Sequence, residues 1–316
     1  MTTRVLVIGG GQNSEHDVSL ASAAAVAAAL RLGDHEVVCA TIGCDGVWRS
    51  DALPTAGSAA ESLQQALGLL ATVDVVFPAV HGVLGEDGAL AALCALAGVR
   101  VVGSGLRAGA IGMDKWTTKL VAQAVGIGTA RGRLVGAADI GDAEFDEPVV
   151  VKPVSAGSSH GVSLVSAEGE LLGALREAAR FDRRILVEEV VRGREVDVAV
   201  IRERGGVRWA APPLEIHAPG LFDTATKYDG SARFTVPAQL DAAQTSALQR
   251  AAVAVFDALG CDGVARMDFF LTERGPVLNE VNTMPGMTAA SQVPRMFAAA
   301  GVPYVDLVTR LVRAAS

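Results

Sequence analysis

Residues 264–291, VARMDFFLTERGPVLNEVNTMPGMTAAS, decide how this chain is read. Two apolar, β-prone runs, 264–271 and 277–282, flank Thr272-Glu273-Arg274-Gly275-Pro276, a turn-like segment. The pattern predicts a β-hairpin followed by a glycine-containing loop. Side chains alternate along a strand, so Arg266 and Asp268 share one face of the first run, and Glu280 and Asn282 one face of the second. A symmetric loop sets Leu271 opposite Val277, Asp268 opposite Glu280 and Arg266 opposite Asn282. Two carboxylates facing each other on an apolar ribbon repel. A divalent cation between them turns that cost into a site, and Asp, Glu and the Asn amide oxygen are the hard ligands Mg²⁺ prefers, with phosphates and water completing its octahedron. The bland alternative is a solvated face carrying two ordinary acids; the Asn of E-x-N and the neighbouring Arg266 favour a metal–phosphate platform.

Composition bounds the rest. A chain of 316 residues accommodates about two domains, or three small ones. Half of it is hydrophobic with only 4% aromatic residues, so Ala, Val and Leu fill the cores. A net charge of −8 without any basic run argues against nucleic acid as the main partner. The first residues run straight into strand-like RVLVIGG and do not resemble a signal peptide. The apolar stretches around 22–30 and 89–99 fall short of the ~18–20 residues that span a bilayer, so no membrane partner is expected. Cys39, Cys44, Cys94 and Cys261 lack CxxC spacing and read as buried thiols of a cytosolic protein.

In chain order, strand Val5–Ile8 leads into Gly9-Gly10-Gly11-Gln12-Asn13-Ser14-Glu15 and an Ala-rich helix over 19–30. That is an α/β unit whose turn lets backbone N–H groups approach a ligand. Strands at 36–41 and 73–80 follow, the second running into His81-Gly82-Val83-Leu84-Gly85-Glu86-Asp87-Gly88. Both loops lie beyond strand carboxyl ends, where open α/β sheets bind ligands; His81 equally suits a simple brace of its loop. Strand 99–102 precedes Gly103-Ser104-Gly105-Leu106-Arg107-Ala108. This is the best case for a dinucleotide-dependent dehydrogenase, or for a non-catalytic nucleotide-binding module, but no acidic residue lies about 20 residues on at a strand end. No P-loop motif occurs, so any use of ATP takes another form.

A helix is expected over 115–125, then strand 148–152 ending in Lys152 and the small-residue loop Val154-Ser155-Ala156-Gly157-Ser158-Ser159-His160-Gly161. Such a loop beside a strand-borne Lys wraps phosphate oxygens with N–H and O–H donors, or is simply a flexible turn. Strand 185–187 leads to Glu188 and Glu189, an acidic pair suited to an adenine amino group and a ribose, or to solvent. A strand at 197–202, a loop at 211–220 and the segment 221–230, with Lys227 and Tyr228, come next. The tail, 285–316, is expected as a loop and one or two helices packing on the hairpin domain.

Read together, GGGQNSEHDVSL, HGVLGEDG, GSG…GMDK, VVKP…GSSHGVS, VEEVVRGRE, KYDG, ARMDFF, NEVNTMPGMT and S-x-VP occur in the order of the D-alanine–D-alanine ligases of the ATP-grasp superfamily, and the chain resembles that family along its whole length. The resemblance implies an α/β, three-domain ATP-grasp fold: an N-terminal preATP-grasp, Rossmann-like domain (1–105), a central lid domain (106–187) and a C-terminal domain with the Mg site (188–316). It implies ATP-dependent joining of two D-alanines through a D-alanyl phosphate, for peptidoglycan precursor synthesis, by a cytoplasmic homodimer. Lys115, Lys152, Ser158, Glu188, Val191, Glu195 and Lys227 are then the ATP contacts. Asp268, Glu280 and Asn282 hold two Mg²⁺ ions, Mn²⁺ being a substitute. Arg266, with a backbone N–H near Gly286, stabilises the oxyanion. Glu15, with His81 nearby, receives the first D-alanine; the Glu15–Tyr228–Ser158 trio closes the site; Ser291 and Lys227 meet the second carboxylate.

Departures from the family pattern cluster at Ala156, His160, Phe222 and Gln292. Gln292 stands where Leu is usual, beside the second substrate's side chain, and a buried amide there wants a hydrogen-bond partner. It raises the alternative of a more polar second substrate such as D-serine, or of a specialised-metabolism variant, against the simpler reading that Gln292 points to solvent. The retained Tyr228 goes with dipeptide rather than ester formation.

Overall fold

The computed structural model describes residues 2–217 and 233–315; Phe222, Lys227 and Tyr228 lie outside them. The first sheet has strand order β3-β2-β1-β4-β5. It is built from β1 (Arg4–Gly10), β2 (Glu36–Ile42), β3 (Trp48–Arg49), β4 (Val75–Pro78) and β5 (Arg100–Val101), with helices α1 (His16–Leu32), α2 (Ala59–Leu70) and α3 (Ala89–Leu96). Its central strands are parallel, and both faces of β1 are covered: Val5 and Val7 enter one core, Leu6 and Ile8 another. A strand buried on both sides is why 5–8 reads as an unbroken apolar run. Because the order reverses between β1 and β4, the loops that follow them, 11–15 and 79–88, flank a ligand-binding crevice.

Helices α4 (Leu106–Met113) and α5 (Lys115–Ala124) and strand β6 (Gly128–Thr129) come next. The second sheet, order β7-β10-β8-β9, consists of β7 (Gly132–Gly136), β8 (Val149–Pro153), β9 (Ser163–Val165) and β10 (Arg184–Glu189), antiparallel throughout, with α6 (Glu168–Ala178) against it. The third comprises β11 (Arg194–Arg202), β12 (Arg208–Ala210), β13 (Leu214–His217), β14 (Arg233–Thr235), β15 (Val264–Thr272) and β16 (Gly275–Asn282). Helix α7 (Ala242–Leu259) covers one face, started by an Asp241–Gln244 capping box and stopped by the left-handed Gly260. The order is β14-β13-β11-β15-β16-β6. Strand β6 pairs with β16, and α4 and α5 pack on β16 and α7. The segment 106–187 is thus divided by its packing between the third sheet and the second.

The hairpin forms, with one difference inside it. Leu271 pairs with Pro276, not Val277, because the strands run on to Thr272 and Gly275 and only Glu273 and Arg274 form the turn. A bulge at Asn279 then takes up one residue and restores Asp268 opposite Glu280 and Arg266 opposite Asn282. Without it, Leu278 and Val281, three apart, would face opposite sides; with it both join Met267 and Phe269 in the core beneath α7.

The tail corrects another expectation. Helix α8 (Gln292–Ala299) stays by β11, but α9 (Tyr304–Ala315) returns to the first sheet and lies along α1. Leu307, Val308, Leu311 and Val312 fill one core with Val5, Val7, Leu30 and Phe77. Its apolar stripe has period 3.6, and the uncovered face of the parallel sheet is what it buries. Gly103 of GSGLRA packs on Gly263, where a Cβ would stand 2.7 Å from the Gly103 nitrogen, so this glycine allows two sheets to meet. Only Cys94 and Cys261 are buried; Cys39 and Cys44 are exposed. Among the described residues no helix is long and apolar enough to cross a membrane.

Candidate active site

Two cavities meet between the sheets. The smaller, of about 550 Å³, is lined by Glu15, His81, Ser158, Arg266, Gly286, Ser291 and Gln292, among others. Asn13 builds its N-terminal wall: its amide donates to the carbonyls of His81 (2.8 Å) and Val83 (2.9 Å), while its oxygen accepts from the Glu15 N–H at 2.8 Å. Asn13 thereby ties the β1 and β4 loops together. Glu15 Oε1 accepts from the Ser158 hydroxyl at 2.5 Å, and a Cβ on Gly82 or Gly157 would come within 2.5 or 2.6 Å of Oε2. Those two glycines make the room that Glu15 occupies. Ser158 and Ser159 have φ of 49° and 57°, the left-handed region that non-glycine residues rarely adopt.

His81 is buried and shares hydrogen bonds of 2.8 Å with the Met284 carbonyl through Nδ1 and with Ser22 Oγ through Nε2. Ser22 Oγ also accepts from the Met287 N–H at 3.2 Å. Helix α1, His81 and the 284–287 loop are thus held as one unit around Gly286. Burial alone would lower the His81 pKa; Glu86, 3.7 Å away, together with the Met284 carbonyl and Glu15, outweighs it and raises it. Ser291 Oγ is 2.8 Å from Thr288 Oγ1 and accepts the Thr288 N–H at 3.1 Å.

The larger cavity, about 1020 Å³, lies between the second and third sheets and is lined by Lys115, Lys119, Lys152, Ser159, Glu188, Val191 and Glu195 among others. Lys115 donates to the Ala156 carbonyl at 2.7 Å and stands 3.4 Å from Glu280. Lys152 donates to the bulged Asn279 at 3.1 Å and pairs with Glu188. The other Glu188 oxygen pairs with Lys119 at 2.7 Å. Burial would raise the Glu188 pKa, but the two ammonium groups hold it below the usual carboxylate value. Burial, aided by Lys152, lowers Lys119 to about 8. Lys119 has no role in the sequence reading, although it sits at i+4 from Lys115 on α5, one turn along the same face.

At the boundary lies the hairpin platform. Asp268 receives both Nε and Nη2 of Arg266 at 2.7 Å and the Asn282 amide at 3.0 Å. Asp268, Asp197 and Glu280 keep the Arg266 guanidinium ionised against burial, raising its pKa. Among the described residues no three His, Cys, Asp or Glu side chains gather into a ready-made cation cage. The donor set is two facing carboxylates plus an amide, which suits Mg²⁺, an ion that takes one or two carboxylates and completes its shell with substrate phosphates and water.

The structure brings most of the named residues together. Ser158 lines the Glu15 cavity and Ser159 the larger one. Glu188 has both oxygens in ion pairs with lysines. Gln292 lines the smaller cavity with both ends of its amide tied to the protein: it accepts from Arg266 Nη1 at 2.7 Å and donates to Asp197 at 2.8 Å. Asp197 went unassigned, though an Asp two places after Glu195 in a valine-rich strand was a legible signal. His160 stacks on Phe181 with centroids 5.8 Å apart, and Ala156 contributes its carbonyl to Lys115.

With this geometry in place, comparison with known proteins is direct. The family described as D-ala D-ala ligase N-terminus matches residues 4–104, and that described as D-ala D-ala ligase C-terminus matches 139–313. A D-alanine–D-alanine ligase of Corynebacterium urealyticum is 38% identical, covering 98% of this chain and 97% of its own. That of Streptomyces coelicolor is 39% identical, with 99% and 92% covered. Among solved structures, the VanG D-Ala:D-Ser ligase from Enterococcus faecalis superposes with a TM-score of 0.85 at 30% identity over 100% of both chains. The D-alanine-D-alanine ligase from Coxiella burnetii gives 0.83 at 30% identity, covering 99% and 94%.

Proposed function

Because the chain belongs to the D-alanine–D-alanine ligase family and is thereby an ATP-dependent ligase joining two D-alanines, we propose how its residues divide that work. The observation that carries the reading is the shared wall of the two cavities: Lys115 and Glu280 line both. A phosphoryl group passing from ATP to a carboxylate in the smaller cavity crosses at that wall. The first D-alanine sets its ammonium on Glu15, and its carboxylate attacks the γ-phosphorus; the bond to ADP breaks and D-alanyl phosphate forms. Lys115, Lys152 and Lys227 hold the phosphate oxygens, while Val191 and Glu195 meet the nucleoside. Glu188 keeps Lys152 and Lys119 in place.

The deprotonated amine of the second D-alanine then attacks the acyl carbon. Arg266 and the Gly286 N–H hold the oxyanion of the tetrahedral intermediate, and its collapse expels inorganic phosphate and leaves the peptide bond. Ser291 and Lys227 orient the second carboxylate. Asp268, Glu280 and Asn282 would hold two Mg²⁺ ions, or Mn²⁺ in their place, which would supply positive charge to offset that of the phosphate oxygens. Ser158, Glu15 and Tyr228 keep water from the acylphosphate.

A D-serine second substrate is the alternative, supported by the likeness to a D-Ala:D-Ser ligase. Both ends of the Gln292 amide are already engaged by protein groups, which favours D-alanine. The test is phosphate release from ATP and Mg²⁺ with D-alanine alone, products read by mass. One D-alanyl-D-alanine per phosphate supports the reading; release that needs a different second amino acid moves it to the alternative. The exposed thiols of Cys39 and Cys44 suit a reducing, cytoplasmic setting, where this ligase supplies peptidoglycan precursors as a homodimer. Light scattering of the purified protein tests the dimer.

A further inference from the structure

Arg266 is shared by two buried acids. Asp197 on β11 lies directly opposite Asp268 on β15, and Arg266 is on the same face two residues from Asp268. Facing carboxylates repel, so the guanidinium between them is what allows the pair. It is seated unequally: 2.7 Å from each Asp268 oxygen through Nε and Nη2, but 3.4 Å from Asp197 through Nε. Gln292 at the start of α8 makes up the difference, donating Nε2 to the same Asp197 oxygen at 2.8 Å and accepting Arg266 Nη1 at 2.7 Å. Of the five N–H groups of an arginine, these bonds engage one each on Nε, Nη1 and Nη2, leaving one on each Nη.

We propose that Asp197 and Gln292 are positioning residues that fix the Arg266 guanidinium for the ligation step, and that position 292 does not read the side chain of the second amino acid. The inference rests on the assignment of Arg266 to the oxyanion. Its physical core is competition. Asp197 is 1% exposed and has water to turn to for almost none of its hydrogen bonding. Deprived of the Gln292 amide, Asp197 Oδ2 draws more strongly on Arg266 Nε, 3.4 Å away, and the guanidinium shifts off Asp268 toward it. The two N–H groups left for the oxyanion then point elsewhere, and an oxyanion donor works only where the charge develops. The clamp takes one N–H and one lone pair of the Gln292 amide and fixes its plane, so the N–H and lone pair that remain are aimed by Arg266 and Asp197 rather than by a substrate hydroxyl.

The test uses full-length Gln292→Leu, Gln292→Glu, Asp197→Asn and the double variant D197N/Q292E. Each is assayed for kcat, for KM of the second D-alanine, for the ratio of D-alanine to D-serine incorporated and for thermal unfolding. Gln292→Leu is expected to lower kcat about 10- to 100-fold, the scale of a misplaced oxyanion donor, with KM and the substrate ratio within about twofold of wild type. Gln292→Glu sets carboxylate against carboxylate and falls further. The double variant exchanges the roles. The amide introduced at position 197 donates to the carboxylate introduced at position 292, which still accepts from Arg266, and kcat returns to within about threefold of wild type. A general packing defect does not produce that rescue. A tenfold change of the substrate ratio in Gln292→Leu at unchanged kcat, or a double variant no better than Gln292→Glu, overturns the proposal. Arg266→Lys separates the two layers. Wild-type kcat there sinks the oxyanion assignment itself, whereas its collapse alongside an unaffected Gln292→Leu sinks only the clamp.

Discussion

The hydroxyl of Ser158 donates a 2.5 Å hydrogen bond to Glu15 Oε1, joining residues 143 apart in sequence. It connects the small-residue loop after β8 to the residue that precedes α1, and both residues line the smaller cavity. A hydrogen bond to a charged acceptor contributes roughly 1.5–3 kcal/mol, enough to hold a loop shut over a reactive intermediate. Ser158→Ala is expected to lower dipeptide formation about tenfold. Its phosphate release should exceed dipeptide formed, because water reaches the acylphosphate. A phosphate-to-dipeptide ratio that stays at one in this variant is incompatible with a water-excluding role.

Glycines set the space on the other side of the same carboxylate. A Cβ at Gly157 would stand 2.6 Å from Glu15 Oε2, and one at Gly82 would stand 2.5 Å from it at a φ of +72°. Gly157→Ala moves the Glu15 side chain without straining its own backbone, so KM for the first D-alanine should rise while thermal stability is nearly kept. Gly82→Ala adds backbone strain of order 1 kcal/mol and should lower both affinity and Tm. Equal effects of the two variants on Tm would contradict this account.

The catalytic end of the hairpin was legible in the sequence because alternation fixes which residues share a face, and Asp268, Glu280, Arg266 and Asn282 all lie beyond the irregularity. The turn and the bulge were not legible. Shortening the loop and inserting Asn279 offset each other, so a register counted through a symmetric turn is right at one end and wrong at Leu271. The docking of α9 on the first sheet was hidden for a different reason: an amphipathic stripe says that a face is buried and not against what. Asp197 on the face of Glu195 and Lys119 one turn from Lys115 could be placed from the sequence, but not what they hold, because their partners, Gln292 and Glu188, are 95 and 69 residues away. Long-range polar contacts leave no periodic trace.

Asp268 and Glu280 make the metal dependence specific. Asp268→Asn leaves the shape of the platform and removes one of its two facing charges, while also freeing part of the Arg266 fork. At saturating Mg²⁺ it should cost at least about 100-fold in kcat, on the scale of lost charge stabilisation in phosphoryl transfer. Glu280→Gln should raise the Mg²⁺ concentration needed for half-maximal rate: the ion loses a charged ligand, and Lys115, 3.4 Å from that side chain, loses the carboxylate that offsets its own charge. Phosphate release that persists in excess chelator would remove the platform from the mechanism.

Lys119 gives the nucleotide cleft a pH dependence of defined sign. With Lys119 and Lys152 both charged around the Glu188 carboxylate, the triad carries a net charge of +1; a neutral Lys119 leaves it at zero. Burial first, then repulsion from Lys152, lowers the Lys119 pKa to about 8 despite the attraction of Glu188. Polyphosphate therefore meets a cleft one charge poorer above that pH, and the ATP Kd measured by calorimetry should rise there, by at most about tenfold per pH unit. Lys119→Arg keeps its charge throughout the range and should show no such limb. Stability moves the opposite way. Between about 8 and the ordinary lysine value of 10.5 the unfolded chain holds a proton that the folded chain has lost, so this group's contribution to the unfolding free energy increases with pH over that window. An enzyme that binds ATP more weakly from pH 8 upward while this residue ceases to oppose folding is the joint signature. An ATP affinity flat from pH 7 to 9 in the native protein would show that Lys119 stays charged and serves only to brace Glu188.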